Sequence, residues 1–519
     1  MVDIESRLQN ASENIKVSFV DPAIVLNKAK IRKEKQKNVK KKNGFTLSFV
    51  ALALCAFVAI IIVPSVKLIN IFDAPGNSAD VNNGERTPIN NNTSKDDDVE
   101  ETPQSEGKIY DKNLKRLSAP IGQFTAQDET EGLNDLIKNV NTFSTSLFSN
   151  ISATNLKKVN TSFSPASLYC SLSILSKTMD SDKNDTLFDI LGTSQEELDK
   201  YFPSLIRSCN RKFMQDDNCV GREVINNSIW LDNNHYYDEN VLKQLSENYY
   251  TSSYWGDFST ENDLMNKSIK EYIYDVSEGL FNPSIQFPKT TSLVLLNGLY
   301  FDDQWNELDN SLTPVGLHEF HNVDGTTKSI PFYSTHKTNA KIMETEKYKS
   351  MYVETLNGFT IDFLVPKDGY DADDLYTSDV LLEHENQTYV EFDSEGACES
   401  KIIFPEFAAG YQGNVLKPIL DTFNLSKLDG FSNFATNKNT GENDFGVSSI
   451  VHATKINIKS ESSGANSVNV IVSDGESKEI ETEDIKSDIK YDLIVDRPFV
   501  YVIKDSLGTT LFNGTIYNV

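Results

Sequence analysis

The stretch DRPFVYVIKDSLGTTLFNGTIYNV, residues 496–519, carries two runs rich in β-branched and aromatic side chains. Such runs are typical of β-strands. The same composition recurs upstream in GFTIDFLVP at 358–366 and KIIFPEF at 401–407, which also predict strands. TSLVLLNGLYF at 291–301 is apolar throughout but too short to cross a membrane, so it predicts a central strand.

Helices are predicted further towards the N-terminus. LNDLIKNVNTFSTSLFSNI at 133–151 has apolar residues at helical spacing, and PASLYCSLSILSKTM at 165–179 carries Pro165 in a first helical turn. Helices therefore dominate the N-terminal third of this region and strands its C-terminal half. This separation predicts the α+β fold class.

The chain of 519 residues has a formal net charge of −27, which argues against nucleic-acid binding because a phosphate-binding surface must be basic. Residues 1–44 differ from the rest of the chain in being basic, with 11 Lys/Arg against 5 Asp/Glu. A basic tail joined to an acidic body indicates that the two parts have different surroundings.

A run of 22 residues without charge, FTLSFVALALCAFVAIIIVPSV at 45–66, follows the basic stretch 28–42. About 20 apolar residues suffice to cross a membrane, and a basic flank marks the cytoplasmic side. We therefore expect a cytoplasmic tail (1–44), one transmembrane helix (45–66), a disordered polar linker (67–128) and an extracellular domain (129–519) on a cell membrane.

Neither an enzyme nor a cofactor site is predicted. The chain lacks a GxSxG elbow, a P-loop, a GxGxxG loop and an HExxH motif. His318 and His321 have a spacing seen in metal sites, but no cluster of further ligands completes a site. Cys209 and Cys219 lie close in sequence, and a disulfide between them is an open alternative outside the cytoplasm.

Several segments together resemble one family, the serpins, which are serine protease inhibitors. The match covers roughly 131–519, and its motifs occur in the family's order. They are SFSPASLYCSLSIL (162–175), LVLLNGLYFDDQW (293–305), FHNVDG (320–325), FLVPKDG (363–369), IFPEF (403–407), VSSIVHATKI (447–456) and the segment 496–519.

The resemblance implies a serpin fold with three β-sheets, of which sheet A has five strands, about nine helices and an exposed reactive loop. In an inhibitory member a protease cleaves this loop and is acylated. The loop then inserts into sheet A as a new strand and carries the protease with it.

The family's polar "shutter" beneath sheet A matches four residues here, and its "breach" matches one tryptophan. A sheet that parts between two strands needs a satisfied polar network there. The alternatives are a helix cap for the serines, a satisfied core histidine and a plain core tryptophan. The shutter positions are Ser164, Ser167, Asn297 and His452, and the breach position is Trp305.

Alignment with the family's hinge places Gly464, Ala465, Asn466, Ser467 and Val468 at the start of the loop. Asn466 and Val468 depart from the small residues expected there. Strand parity nevertheless places every charge between 465 and 478 on one face. We interpret this pattern as that of a loop that can insert into sheet A. The alternative is a flexible acidic loop in which the charges fall on one face by chance.

The family's usual loop length places the scissile bond at Lys478–Glu479, whereas counting back from Pro498 places it at Lys486–Ser487. Either lysine suits a trypsin-like protease. We therefore expect a monomeric, membrane-anchored suicide inhibitor of serine proteases, with cysteine proteases as an alternative target class. The alternative function is a non-inhibitory surface binding or adhesion module.

Overall fold

The structure is a computed structural model in which Phe49–Val519 form one compact unit. The residues that it describes are 51–64, 108, 110, 113–152, 158–215, 218–277, 279, 281, 285–304, 313–338, 342–386, 398–443, 445–458 and 489–519.

The described residues alternate between helices and strands along most of the chain. The helices are α1 (Glu131–Ser152), α2 (Pro165–Thr178), α3 (Asp185–Leu191), α4 (Gln195–Ser208), α5 (Glu239–Glu247), α6 (Asn262–Val276), α7 (Ala372–Leu375), α8 (Ser378–Asn386) and α9 (Leu416–Thr422). The first ten strands are β1 (Ala51–Pro64), β2 (Lys115–Leu117), β3 (Thr161–Phe163), β4 (Arg211–Gln215), β5 (Asn218–Asp232), β6 (His235–Tyr237), β7 (Thr251–Gly256), β8 (Leu293–Gln304), β9 (Thr313–His321) and β10 (Thr327–Thr338). The others are β11 (Ile342–Glu344), β12 (Tyr348–Glu354), β13 (Thr360–Pro366), β14 (Cys398–Pro405), β15 (Phe407–Asn414), β16 (Ala435–Asn437), β17 (Phe445–Ile458), β18 (Ile489–Ile494), β19 (Phe499–Lys504) and β20 (Thr510–Ile516).

Three larger sheets and one two-stranded sheet organise these strands. The largest, which we call the central sheet, has the order β15-β17-β1-β8-β5-β7-β2, with β4 attached to β5. The second sheet has the order β18-β14-β10-β9, the third β11-β12-β13-β19-β20-β3, and β16 pairs with β6. The α+β fold class is thereby confirmed, while the central sheet has more strands than the five expected.

The predicted transmembrane helix over 45–66 is not observed, because Ala51–Pro64 form strand β1 of the central sheet. No helix within the described ranges is both long and apolar enough to cross a membrane. A strand buried on both faces is apolar at every position, as a membrane span is. Hydropathy alone does not distinguish such a strand from a membrane span.

Strand β1 is buried on both faces of the central sheet. Its even-numbered side chains from Ala56 to Ile62 belong to the main core, which also contains the apolar residues of α2. Its odd-numbered side chains from Phe57 to Val63 belong to a second core with the apolar residues of α6. Fully burying each Val, Ile or Phe stabilises a fold by about 1.5–3 kcal/mol, so the segment contributes strongly to this sheet.

The predicted disordered linker, 67–128, is ordered at its C-terminal end, while 65–107 lie outside the described residues. Strand β2 pairs antiparallel with β7 at the edge of the central sheet. Tyr110 is buried against Trp230, Tyr254 and Tyr272, with ring centroids 5.5–6.4 Å away. The low apolar content of the stretch as a whole gives no indication of this buried tyrosine.

Candidate functional site in the central sheet

Strand β1 lies between β8 and β17 and is antiparallel to both. Since both neighbours run opposite to β1, they are parallel to each other. Val58 pairs with Asn297 of β8 on one side and with His452 of β17 on the other. Strand β1 thus passes directly between two of the predicted shutter residues.

The four predicted shutter residues lie in one buried cluster beneath this point of the sheet. The Ser167 hydroxyl donates to the side-chain carbonyl of Asn297. The backbone N–H of Ser164 donates to Nε2 of His452 over 3.1 Å. All four residues are at most 1% exposed, so hydrogen bonds inside the cluster replace those to water.

Helix α2 positions the two serines. Ser164 has an extended backbone and precedes Pro165, which occupies the first helical turn. Its hydroxyl accepts from the Ser167 N–H over 3.3 Å, as an N-cap does. The capping alternative and membership of the cluster are therefore both observed for Ser164, because its side chain caps the helix while its backbone contacts His452.

His452 is neutral in this environment. Burial lowers the pKa of His452 to about 3, and the backbone of Phe57 offsets this only in part. Its Nδ1 makes no hydrogen bond of ordinary geometry among the described residues. The Phe163 ring stacks on the imidazole at 5.9 Å. The histidine is thus held by the hydrogen bond from Ser164, by the backbone of Phe57 and by packing.

The cluster includes a residue that sequence reasoning missed. The side-chain amide of Asn297 donates to the side-chain oxygen of Asn227 over 2.7 Å. Asn227 lies on β5, next to β8, and is 2% exposed. The polar pair Asn226–Asn227 within an otherwise strand-like run was a usable signal, since an asparagine in a central strand needs a buried partner.

The remaining predicted site residues lie outside the described residues. These are the breach Trp305, the hinge residues Gly464, Ala465, Asn466, Ser467 and Val468, and the scissile candidates Lys478, Glu479, Lys486 and Ser487. The segment that holds the hinge and scissile positions, 459–488, connects the end of β17 to the start of β18.

The considered disulfide between Cys209 and Cys219 is not formed, because both thiols are free. Cys219 pairs with Met214 in the β4–β5 hairpin. Arg211 lies three residues before Met214 on β4 and pairs with Glu223. Three strand residues span about 10 Å, and Cys209 precedes even Arg211. A disulfide requires Cα atoms within about 7 Å.

Cys209 instead faces a buried charged cluster. Its Sγ and the carboxylates of Glu223 and Asp505 lie within 4.8 Å of one another, a set that could hold a metal ion. The Arg211 guanidinium already lies 2.9 Å from Glu223 and 3.6 Å from Asp505. Burial, together with Asp505, raises the pKa of Glu223 to about 8. The chain itself therefore supplies the cation of this cluster, the Arg211 guanidinium, while Glu223 keeps its proton below about pH 8.

The comparison with known families agrees with this architecture. The family model described as "Serpin (serine protease inhibitor)" matches residues 138–519, and the chain belongs to the serpin family. The resemblance found in the sequence motifs is thereby confirmed.

Relatives and solved structures extend over the same region. Serpin-ZX of Arabidopsis thaliana is 25% identical over 389 residues, which are 72% of this chain and 96% of the relative. A thermophilic serpin, tengpin, in its native state superposes with a TM-score of 0.58 and 16% identity, covering 78% of this chain and all of that one. Arabidopsis AtSerpin1, in its native stressed conformation, gives 0.57 and 19%, covering 74% and 98%.

Proposed function

We propose that the chain inhibits proteases by the suicide mechanism typical of its family, with serine proteases as the target class and cysteine proteases as the alternative. The observation that carries this proposal is the position of β1. The central sheet accommodates a 14-residue strand between β8 and β17, antiparallel to β17. A cleaved loop that starts after Ile458 and folds back on β17 needs an accommodating position of this kind.

The loop sequence supports the proposal. Between 465 and 478 it contains no proline, and alternate residues on one face are small or uncharged. That face would suit burial next to a core, because charges would remain on the other side. Lys478 and Lys486 would present a basic residue to a trypsin-like protease, which is the finer part of the proposal.

The test is incubation of the full chain with a panel of serine and cysteine proteases. We expect a complex that survives SDS gel electrophoresis with at least one protease, because trapping leaves an acyl bond. Mass spectrometry of the released C-terminal fragment would locate the cut. Cleavage by every protease without any stable complex would contradict the proposal.

A second candidate function is a non-inhibitory binding module. The observation that favours it is again β1, since the filled position leaves β17 paired on both edges, with β15 and with β1. The two candidates differ in heat stability after the loop is nicked. An inhibitor gains stability when the loop inserts, whereas a binding module with a filled sheet keeps the same melting temperature.

Anchorage to a cell membrane, with the domain outside the cell, is also a proposal. It is supported by the uncharged run 45–66 and its basic flank at 28–42. It requires Ala51–Pro64 to leave the central sheet, because the same residues cannot be a strand and a membrane helix together. Protease protection of the N-terminus in sealed vesicles would test the orientation.

A further inference from the structure

The pairing of β17 decides which segments can join the central sheet. Strand β17 has two edges, of which one pairs with β15 and the other with β1. The chain continues from Ile458 into 459–488, so any strand formed there that folds back on β17 must run antiparallel to it. Strand β1 already occupies that edge with that polarity.

Strand β1 is buried and paired as a core strand is, not as an edge strand. Eight consecutive residues, Ala56 to Val63, are at most 2% exposed. Phe57 makes an edge-to-face ring contact with Phe281 at 5.9 Å. Strand β1 continues its pairing along the whole of β8, from Ala51–Gln304 to Ile62–Leu293. Another strand would therefore have to displace β1 along its full length.

The polar cluster would link β8 to β17 if β1 were absent from the central sheet. Asn297 and His452 both pair with Val58, and their strands are parallel. If β1 left and β8 met β17, these two side chains would arrive at the same level of the sheet. The imidazole of His452 would lose the Phe57 backbone of β1 and would then meet a polar neighbour in its place.

We infer that Ala51–Pro64 is an internal occupant of the strand position between β8 and β17, and that it blocks insertion of the cleaved reactive loop until it leaves. The inference rests on the proposed inhibitory function for its consequence, but its structural part stands on β1 alone. In molecules with β1 in place a protease cleaves the loop and departs, so the SDS-stable complex expected of the chain forms only in the fraction of molecules that has released β1. Once β1 is released, the position is open and the protease is trapped.

The first experiment tests the strand position by disulfide formation in the full chain. Ala59 pairs with Val451, and both side chains belong to the same core. A59C with V451C, in a background with Cys55, Cys219 and Cys398 replaced by alanine, should form a disulfide on mild oxidation. The matched control is A59C with I450C, because Ile450 lies one residue away on the opposite face.

We expect peptide mapping without reductant to find the linked peptides in the first variant and not in the control. Equal linkage in both, or none in either, would overturn the inference. The absence of linkage is also the outcome expected if the segment spans a membrane instead of joining the sheet.

The second experiment asks what the occupant does. The loop of the oxidised A59C/V451C protein is nicked, and the melting temperature is measured before and after nicking. We expect no change while the disulfide holds β1, and a rise when reductant is added before nicking. A rise in the oxidised protein would overturn the inference.

A variant that releases β1 from the sheet provides an independent test. I60D places a charge in the main core and should expel β1, whereas I60L conserves volume and should not. We expect I60D to gain more heat stability on nicking than I60L, and equal gains would count against the inference. Because this readout needs no trapped protease, it separates failure of the inference from failure of the proposed inhibition, which would appear as the absence of SDS-stable complexes in all variants.

Discussion

Replacement of His452 by glutamine should remove an acid sensitivity that the shutter cluster builds into the fold. His452 is fully buried, and its pKa is lowered from 6.5 to about 3 because burial disfavours the charged imidazolium. Glutamine presents a carbonyl oxygen near the position of Nε2, so it can still accept from the backbone N–H of Ser164. The substitution changes the titrating group while conserving the known hydrogen bond.

The sign and size of the effect follow from the two pKa values. The unfolded chain protonates His452 near pH 6.5, whereas the folded chain does so only near pH 3. The folded state therefore binds fewer protons in between, and stability is lost as the pH falls through this window. Between pH 7 and pH 5 this one group lowers the free energy of unfolding by about 2 kcal/mol.

Urea unfolding followed by tryptophan fluorescence measures the effect, since Trp230 is buried in the second core. The free energy of unfolding is determined at pH 7 and pH 5 for the wild type and for H452Q. All other titrating groups are common to the two proteins, so the difference between their pH dependences isolates His452. If both proteins lost the same stability between pH 7 and pH 5, the neutral, buried histidine would be refuted.

Two further substitutions test the polar groups around the sheet. N297A removes the partner of both Ser167 and Asn227, and we expect a loss of about 1–3 kcal/mol for each group left unsatisfied; an unchanged urea midpoint would contradict this. E223Q removes a carboxyl whose pKa is raised to about 8. Because of this raised pKa, the folded state keeps a proton on Glu223 at pH values where an ordinary glutamate is ionised. The wild type should therefore lose stability relative to E223Q, by up to about 1.4 kcal/mol per pH unit, as the pH rises from 5 to 8; parallel pH profiles would exclude the buried, protonated glutamate.

Local signals in the sequence predicted much of the fold. Helix α2 begins at Pro165 after a serine cap, as the motif indicates. The central strand predicted over 291–301 corresponds to β8, and the C-terminal segment forms β19 and β20. These elements were accessible because propensity, periodicity and capping all favour the same structure. The cluster at Ser164, Ser167, Asn297 and His452 was reached through the family motifs, not through local signals.

Two errors have a common physical origin, which is that they depended on pairings between residues that composition does not specify. Asn227 was missed because its partner, Asn297, lies 70 residues away. The disulfide considered between Cys209 and Cys219 failed because the β4–β5 hairpin and the end of α4 place the thiols apart. Neither the partner of a buried amide nor the register of a hairpin follows from composition.

The apolar run 45–66 shows where sequence reasoning reaches its limit. As a helix, the 14 residues of β1 would extend about 21 Å, which is short of the hydrocarbon core of about 30 Å. The complete run of 22 residues would extend about 33 Å and would suffice. A membrane span therefore needs the whole run, whereas the strand that the structure describes covers Ala51–Pro64.

The proposed membrane span and strand β1 exclude each other, so the proposed occupancy of the sheet predicts a regulatory consequence. A loop with alternating polar and apolar residues can fill a sheet position but gains little from it on its polar face. Strand β1 is apolar on both faces, so it competes well for the position between β8 and β17. An environment that also accepts a fully apolar segment would favour its departure from the sheet. A lipid bilayer is such an environment, so membrane insertion and inhibitory competence should rise together.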